Sequence, residues 1–195
     1  MDDTIVPRLI KAGADLTKVF SYDESAASDL KFASPKFEEL LQAAKPKLVI
    51  VDPVQAFLGA EIDGHKANEI RPVMSKLRSL AAWYECAVIL IEHLNKNIGG
   101  KALYRGLGSI DITAAARSVL MLGSDPNNEK EKGIAHIKSN CGEKGKVIGF
   151  TISDNGIEWN LSTHLTADMI QGHIRQTGSQ EDSALKEAKE FLLEY

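Results

Sequence analysis

The sequence predicts an α/β fold in which a mainly parallel sheet is flanked by helices and followed by an antiparallel C-terminal extension. Two short runs, Leu48–Val51 and residues 87–91, are apolar at every position. Buried strands of parallel sheets have this pattern, whereas half-exposed strands alternate. Segments with helical spacing separate the runs. After residue 130 the predicted strands are joined by Gly-containing turns, which is typical of antiparallel hairpins.

The helices are predicted from apolar spacing together with start and stop residues. The first helix is capped by Asp3 or Thr4 and ends at Gly13. The second begins after Ser34. The third should have Pro72 in its first turn. The predicted helices cover residues 4–12, 36–44, 69–84, 109–116, 167–176 and 183–195. The predicted strands cover residues 18–22, 48–51, 87–91, 118–122, 133–138, 147–152 and 157–160.

Composition limits the class of protein. A chain of 195 residues with 44% hydrophobic residues can bury a full core, and we expect a core over residues 1–160 with a helical extension over 161–195. The net charge of −4 excludes a wholly basic nucleic-acid coat but not a local basic strip. The two cysteines lack a CxxC partner, and no apolar run approaches membrane-spanning length. These features predict a cytoplasmic protein without a disulfide scaffold.

Polar residues follow the two all-apolar runs directly. Asp52 comes after the first run, and Glu92 and His93 come after the second. Ligands of parallel α/β sheets gather at the carboxyl ends of the strands. We therefore expect Asp52 and His93 to face a crevice rather than the core.

Five motifs in order resemble one subgroup of RecA-like P-loop ATPases, which includes plasmid and phage hexameric replicative helicases. The resemblance covers about residues 1–160. LVIVDP resembles a Walker B strand, and AVILIEHLNK resembles the sensor strand. The other three segments are DDTIVPRLIKAGAD, RGLGSIDITAAARSVLML and IKSNCGEKGKVIGFTI.

The resemblance implies a set of roles for individual residues. Asp52 would organise Mg²⁺ through water, and His93 would sense the γ-phosphate of ATP. Arg117 would reach a neighbouring subunit's nucleotide, with Lys138 in the same set. A basic loop would contact single-stranded DNA through its backbone phosphates. Its candidate DNA-binding residues are Lys96, Lys101 and Arg105.

The sequence departs from this family at the phosphate-binding loop. No GxxxxGK[ST] occurs in the 195 residues, and the nearest match, Gly99-Gly100-Lys101-Ala102, lacks the hydroxyl residue. The strand bearing the family's catalytic glutamate is also missing. We therefore expect a fragment, such as the product of a truncated mobile-element gene, that binds neither ATP nor Mg²⁺ on its own and hydrolyses no ATP alone.

Missing strands leave backbone groups without partners, which costs about 1–3 kcal/mol for each buried group. We expect the sheet either to close up with altered neighbours or to borrow strands from another chain, so that the protein self-associates as a ring or a strand-swapped oligomer.

A structural role without function also stays open for each candidate residue. Asp52 could serve the Asp-Pro turn, His93 could be structural, and Arg117 could satisfy carbonyls at a helix end. Lys138 and the basic loop could simply be solvated. Two other functions also stay open. One is a non-catalytic protein that binds DNA or a partner on a RecA-like scaffold, and the other is a metal-dependent hydrolase using Asp52, Glu92 and His93.

Overall fold

The chain folds into two compact units, as seen in a computed structural model. The structure describes residues 4–22, 30–59, 62, 66–93 and 110–170. Among these, the first unit comprises residues 4–93 and 110–115, and the second comprises residues 116–170. No helix in the described ranges is long and apolar enough to cross a membrane.

The first unit is an α/β assembly built on a two-stranded parallel sheet. Its elements are α1 (Ile5–Lys11), α2 (Pro35–Ala44), β1 (Leu48–Val51), α3 (Ala67–Trp83), β2 (Ala87–Leu90) and α4 (Ile110–Ala115). The strands pair in register from Leu48 opposite Ala87 to Val51 opposite Leu90. Both all-apolar runs are thus strands, as predicted, and α3 is the crossover between them.

Side chains of α2 and α3 form the core of this unit with one face of the sheet. Phe32, Val54 and Ile70 are fully buried there, and Val51 is 3% exposed. Ser34 starts α2 as predicted, because its hydroxyl accepts the N–H of Phe37. Pro72 was expected in the first turn of the third helix, but it is the sixth residue of α3, because that helix begins earlier than the apolar spacing indicated.

The opposite face of the parallel pair is exposed. Leu48, Ile50 and Ile89 are 49%, 61% and 44% exposed. The all-apolar sequence predicts strands covered on both faces, whereas the described residues cover only one. The expected closing of the sheet on new neighbours is also absent from the described ranges, where β1 and β2 pair only with each other.

The second unit is a four-stranded antiparallel sheet in the order β3-β4-β5-β6. Its strands are β3 (Ser118–Asp125), β4 (Asn128–Ser139), β5 (Ile148–Ser153) and β6 (Gly156–Asn160). The antiparallel extension is confirmed, but the strand predicted at residues 118–122, a third apolar run (SVLML), belongs to it and not to the parallel sheet. In the described residues the predicted parallel sheet is therefore small, with two strands, and the antiparallel sheet is the larger one. The strand predicted at residues 18–22 is also wrong, because Leu16–Lys18 form a 3₁₀ turn and residues 19–22 are irregular.

The segment after β6 packs on one face of this sheet. Leu165 and Ile170 are buried, and a Cβ at Gly133 would lie 2.7 Å from Ile170 Cδ1. A Cβ at Gly149 would lie 2.7 Å from Thr163 Cβ. Two strand glycines therefore let this segment approach the sheet closely. Residues 167–170 are helical, and the rest of the predicted helical extension lies outside the described residues.

Candidate functional site

The carboxylate of Asp52 lies at the carboxyl end of β1. The strand ends at Val51, and the Asp52 side chain is 59% exposed. The following peptide bond, to Pro53, is cis. Two backbone hydrogen bonds join the strand ends at this point: Ile91 N–H donates to Val51 O at 2.8 Å, and Val54 N–H donates to Ile91 O at 2.9 Å. The backbone beneath the carboxylate is thus held on both sides, while the carboxylate itself faces solvent.

The imidazole of His93 lies beside this carboxylate. Its Nε2 atom is 3.5 Å from Asp52 Oδ1, and the side chain is 76% exposed. Parallel pairing places the ends of β1 and β2 at the same edge, because Val51 stands opposite Leu90. The structure therefore brings together the two residues that the sequence places at strand ends, and both are open to a ligand.

Glu92 does not join this pair in a metal site. Its Oε1 atom accepts a hydrogen bond of 3.4 Å from Gln55 Nε2. In the described part of the chain, the acidic and histidine side chains grouped closely enough to share an ion do not include Asp52, Glu92 and His93. The geometry therefore gives no support to a metal-dependent hydrolase that uses these three residues.

Arg117 and Lys138 lie together at one end of the β3–β4 hairpin in the second unit. Val119 pairs with Lys138, and the N–H of Asn140 donates to Arg117 O at 2.8 Å. Lys138 is half-buried, and its Nζ atom donates to Ala116 O at 2.6 Å. Arg117 is exposed. Lys138 is therefore not simply solvated, and the two cations belong to one local surface.

The candidate DNA-binding residues Lys96, Lys101 and Arg105 lie outside the described residues. Their role stays a prediction from the sequence.

A serine–histidine pair in the second unit does not form an activated nucleophile. Ser118 Oγ lies 3.0 Å from His136 Nε2, which is the distance expected of a serine and its base. However, His136 Nδ1 accepts the backbone N–H of Gly145 at 3.1 Å. A neutral imidazole that accepts at Nδ1 carries its proton on Nε2. His136 thus donates to Ser118 and cannot take the proton of its hydroxyl.

The residues at the end of the parallel pair fit one part of a magnesium–nucleotide site. An exposed carboxylate suits an outer ligand of Mg²⁺, which keeps several of its waters, and an adjacent imidazole can donate to a phosphate oxygen. The loop that would hold the phosphates does not occur in the sequence. The geometry of Asp52 and His93 is therefore compatible with the metal side of such a site, and the sequence has no match to the loop that binds the phosphates.

One further polar cluster, in the second unit, was missed by sequence reasoning. Asp125, Glu131 and His164 offer ligand atoms that all lie within 4.8 Å of one another. Their spacing in the sequence matches no metal-binding motif. Only the turn residues Asp125-Pro126-Asn127 could have located Asp125 at the tip of a hairpin.

Comparison with known proteins gives two similarities. Residues 3–99 match the family described as "AAA domain". The "DNA repair protein RadA" of Mycobacterium tuberculosis, in each of two strains, is 31% identical over 121 residues. That match covers 60% of this chain, which spans only 24% of the relative's length. These similarities support a RecA-like ATPase domain, and the family match covers β1, β2 and the residues that follow them.

Proposed function

We propose that this chain is the C-terminal portion of a RecA-like ATPase domain in a DNA motor of the hexameric replicative helicase type. The observation that carries the proposal is the exposed Asp52 carboxylate 3.5 Å from His93, at the shared carboxyl edge of two parallel strands. Ligands bind at this edge in open α/β sheets. In the complete site Asp52 orders the waters of Mg²⁺, and His93 contacts the terminal phosphate of ATP.

The phosphate-binding loop must come from polypeptide other than these 195 residues. The uncovered face of the parallel pair supports this part of the proposal. Leu48, Ile50 and Ile89 are apolar and exposed, and strands of this composition are normally covered on both faces. Additional polypeptide placed there would cover the face and complete the site. Without it, the chain does not bind Mg²⁺·ATP stably, so any contact is confined to millimolar nucleotide, and it does not hydrolyse ATP.

Arg117 and Lys138 act in this proposal on the nucleotide of a neighbouring subunit. Their shared position at one end of the β3–β4 hairpin supports a common role. Such residues function only in an assembly, and so the proposal includes self-association as a ring.

Binding of a fluorescent ATP analogue in the presence of Mg²⁺ tests the nucleotide site. We expect weak binding to the isolated chain that Asp52→Asn reduces further. The control variant is Asp154→Asn, at the exposed turn between β5 and β6. Binding in the micromolar range, about −8 kcal/mol, would contradict the proposal that the missing loop is essential.

Single-stranded DNA binding tests the second part of the proposal. A variant with Lys96, Lys101 and Arg105 all replaced by alanine should bind less tightly. The slope of log K against log salt should fall in magnitude by about 2, roughly 0.7 for each lost phosphate contact. A matched triple alanine variant of the exposed Lys45, Lys130 and Lys144 controls for net charge. Equal loss in both variants would show that the basic loop has no specific role.

A non-catalytic DNA- or partner-binding protein is the second candidate. The absence of GxxxxGK[ST] from the sequence favours it. Under this alternative the DNA experiment gives the same result, but Mg²⁺·ATP has no effect on DNA affinity. An effect of Mg²⁺·ATP that Asp52→Asn removes would favour the motor.

A further inference from the structure

We propose that Asp125, Glu131 and His164 bind one divalent transition-metal ion of the Zn²⁺ type, which ties the β3–β4 turn to the segment after β6. None of these residues belongs to the nucleotide site proposed above. Their ligand atoms lie within 4.8 Å of one another in the second unit.

The first argument is the geometry of the histidine and the buried aspartate. His164 Nε2 lies 3.0 Å from Asp125 Oδ2. Two bonds of about 2.1 Å to atoms at this separation meet at an angle of about 90° at an ion. A tetrahedral angle needs the two atoms about 3.4 Å apart, so they would separate slightly when the ion binds, and Glu131 and water would take the remaining positions. The half-buried Glu131, whose ligand atom lies within 4.8 Å of the other two, is the third ligand of the proposed set.

The second argument is the balance of charge. Asp125 is 1% exposed, and a second carboxylate, that of Glu131, lies close to it. Buried carboxylates need a compensating charge, and neighbouring carboxylates repel each other. Within the described ranges, Glu131 accepts hydrogen bonds from neutral donors, namely the Asn160 amide at 3.3 Å and the Thr163 hydroxyl at 3.0 Å. One imidazole can carry at most one positive charge, whereas a divalent ion balances both carboxylates.

The third argument is that both carboxylates are oriented by neighbouring groups. The N–H of Asn127 donates to Asp125 Oδ1 at 2.8 Å and leaves Oδ2 directed at His164. The Thr163 hydroxyl holds Glu131 and itself accepts the N–H of Leu165 at 3.2 Å. Groups behind the ligands usually fix their orientation in metal sites. One imidazole with two carboxylates suits Zn²⁺ or Co²⁺ better than Mg²⁺ or Ca²⁺, which prefer oxygen ligands alone.

The experiment is a titration of the full chain, freed of metal with a chelator, with Co²⁺ and then Zn²⁺. Co²⁺ binding is followed by its visible absorption, and displacement by Zn²⁺ is followed by the loss of that absorption. We expect one equivalent to bind the wild type. His164→Gln should abolish this binding, and Thr163→Ala should weaken it about tenfold, as loss of an orienting group does. Glu129→Gln and His136→Gln, in the same strand as Glu131, should bind like the wild type.

A second readout separates a site from a fold defect. Zn²⁺ should slow hydrogen exchange in residues 125–131 and 163–170 of the wild type but not in those residues of His164→Gln. The His164 side chain is 59% exposed, so this substitution should leave the fold intact. Thr163→Ala provides the same comparison if His164→Gln unfolds. The proposal is overturned if the wild type binds neither ion, or if His164→Gln binds like the wild type. Asp125 and His164 would then form an ion pair only.

Discussion

The described residues include two aspartate–histidine pairs, one in each unit, and their surroundings differ. In the first unit Asp52 is 59% exposed and lies 3.5 Å from His93. In the second unit the Asp125 side chain is 2% exposed and lies 3.0 Å from His164. The first pair stands at the open edge of a parallel sheet and is free to meet a ligand. The second pair joins the β3–β4 hairpin to the segment that packs on the sheet after β6. There, an aspartate and a histidine connect two parts of the fold.

The first test of this comparison concerns the hydrophobic core of the first unit, which supports Asp52 and His93. Ile70→Ala should cost about 3 kcal/mol of unfolding free energy, because Ile70 is fully buried and its truncation leaves a cavity. Ile50→Ala is the matched control and should cost less than about 0.5 kcal/mol, because Ile50 is 61% exposed. Urea unfolding measures both. Equal costs would show that the outer face of the sheet is covered in solution.

The second way is to remove each aspartate. Asp125→Ala should cost about 2 kcal/mol in chelator, because it leaves space at a buried position and removes the acceptor of the Asn127 N–H. Asp52→Ala should change stability by less than about 0.5 kcal/mol, since its carboxylate is largely exposed. Thermal and urea unfolding of the two variants would contradict the comparison if Asp52→Ala were the more damaging.

The third test concerns the close packing that brings His164 to Asp125, in which the segment after β6 lies against Gly149 of β5. Gly149→Ala should cost about 1–3 kcal/mol, because its Cβ would lie 2.7 Å from Thr163 Cβ and 3.1 Å from Asn160 O. Gly142→Ala meets nothing within 4 Å and is the control. The matched glycines are compared by urea unfolding. A harmless Gly149→Ala would show that the segment after β6 packs less closely than described.

The smallest effect concerns the two thiols. Burial raises the pKa of Cys86 above its ordinary value, so less thiolate is present there near pH 8. Iodoacetamide should therefore modify Cys86 several-fold more slowly than the exposed Cys141, and raising the pH should accelerate the reaction at Cys86. Peptide mass spectrometry over time measures both rates. Equal rates would mean that the strand β2 opens more readily than its packing indicates.

The open pair could be predicted from sequence, because parallel pairing follows simple geometry. Two all-apolar runs with a helix between them predict adjacent parallel strands, and Asp52 and His93 then fall at the same edge. The prediction needed no knowledge of side-chain packing. The exposure of both residues followed for the same reason, since the carboxyl edge of a sheet is where the chain leaves the core.

The buried pair could not be predicted, because tertiary packing brings it together. His164 reaches Asp125 only through the fit of the segment after β6 on Gly133 and Gly149. The third apolar run was assigned to the wrong sheet for a related reason. A fully apolar strand does not reveal its neighbour, and the turn at Pro126-Asn127, which pairs β3 with β4, was the informative signal.

The most direct test of the central claim, that Asp52 and His93 form the magnesium side of a nucleotide site, is the NMR signal of the His93 imidazole during titration with Mg²⁺·ATP. We expect the signal to move at millimolar nucleotide, which corresponds to about −4 kcal/mol, and to stay fixed in Asp52→Asn. An imidazole signal that does not respond in the wild type, while resonances elsewhere in the chain shift, would contradict the claim.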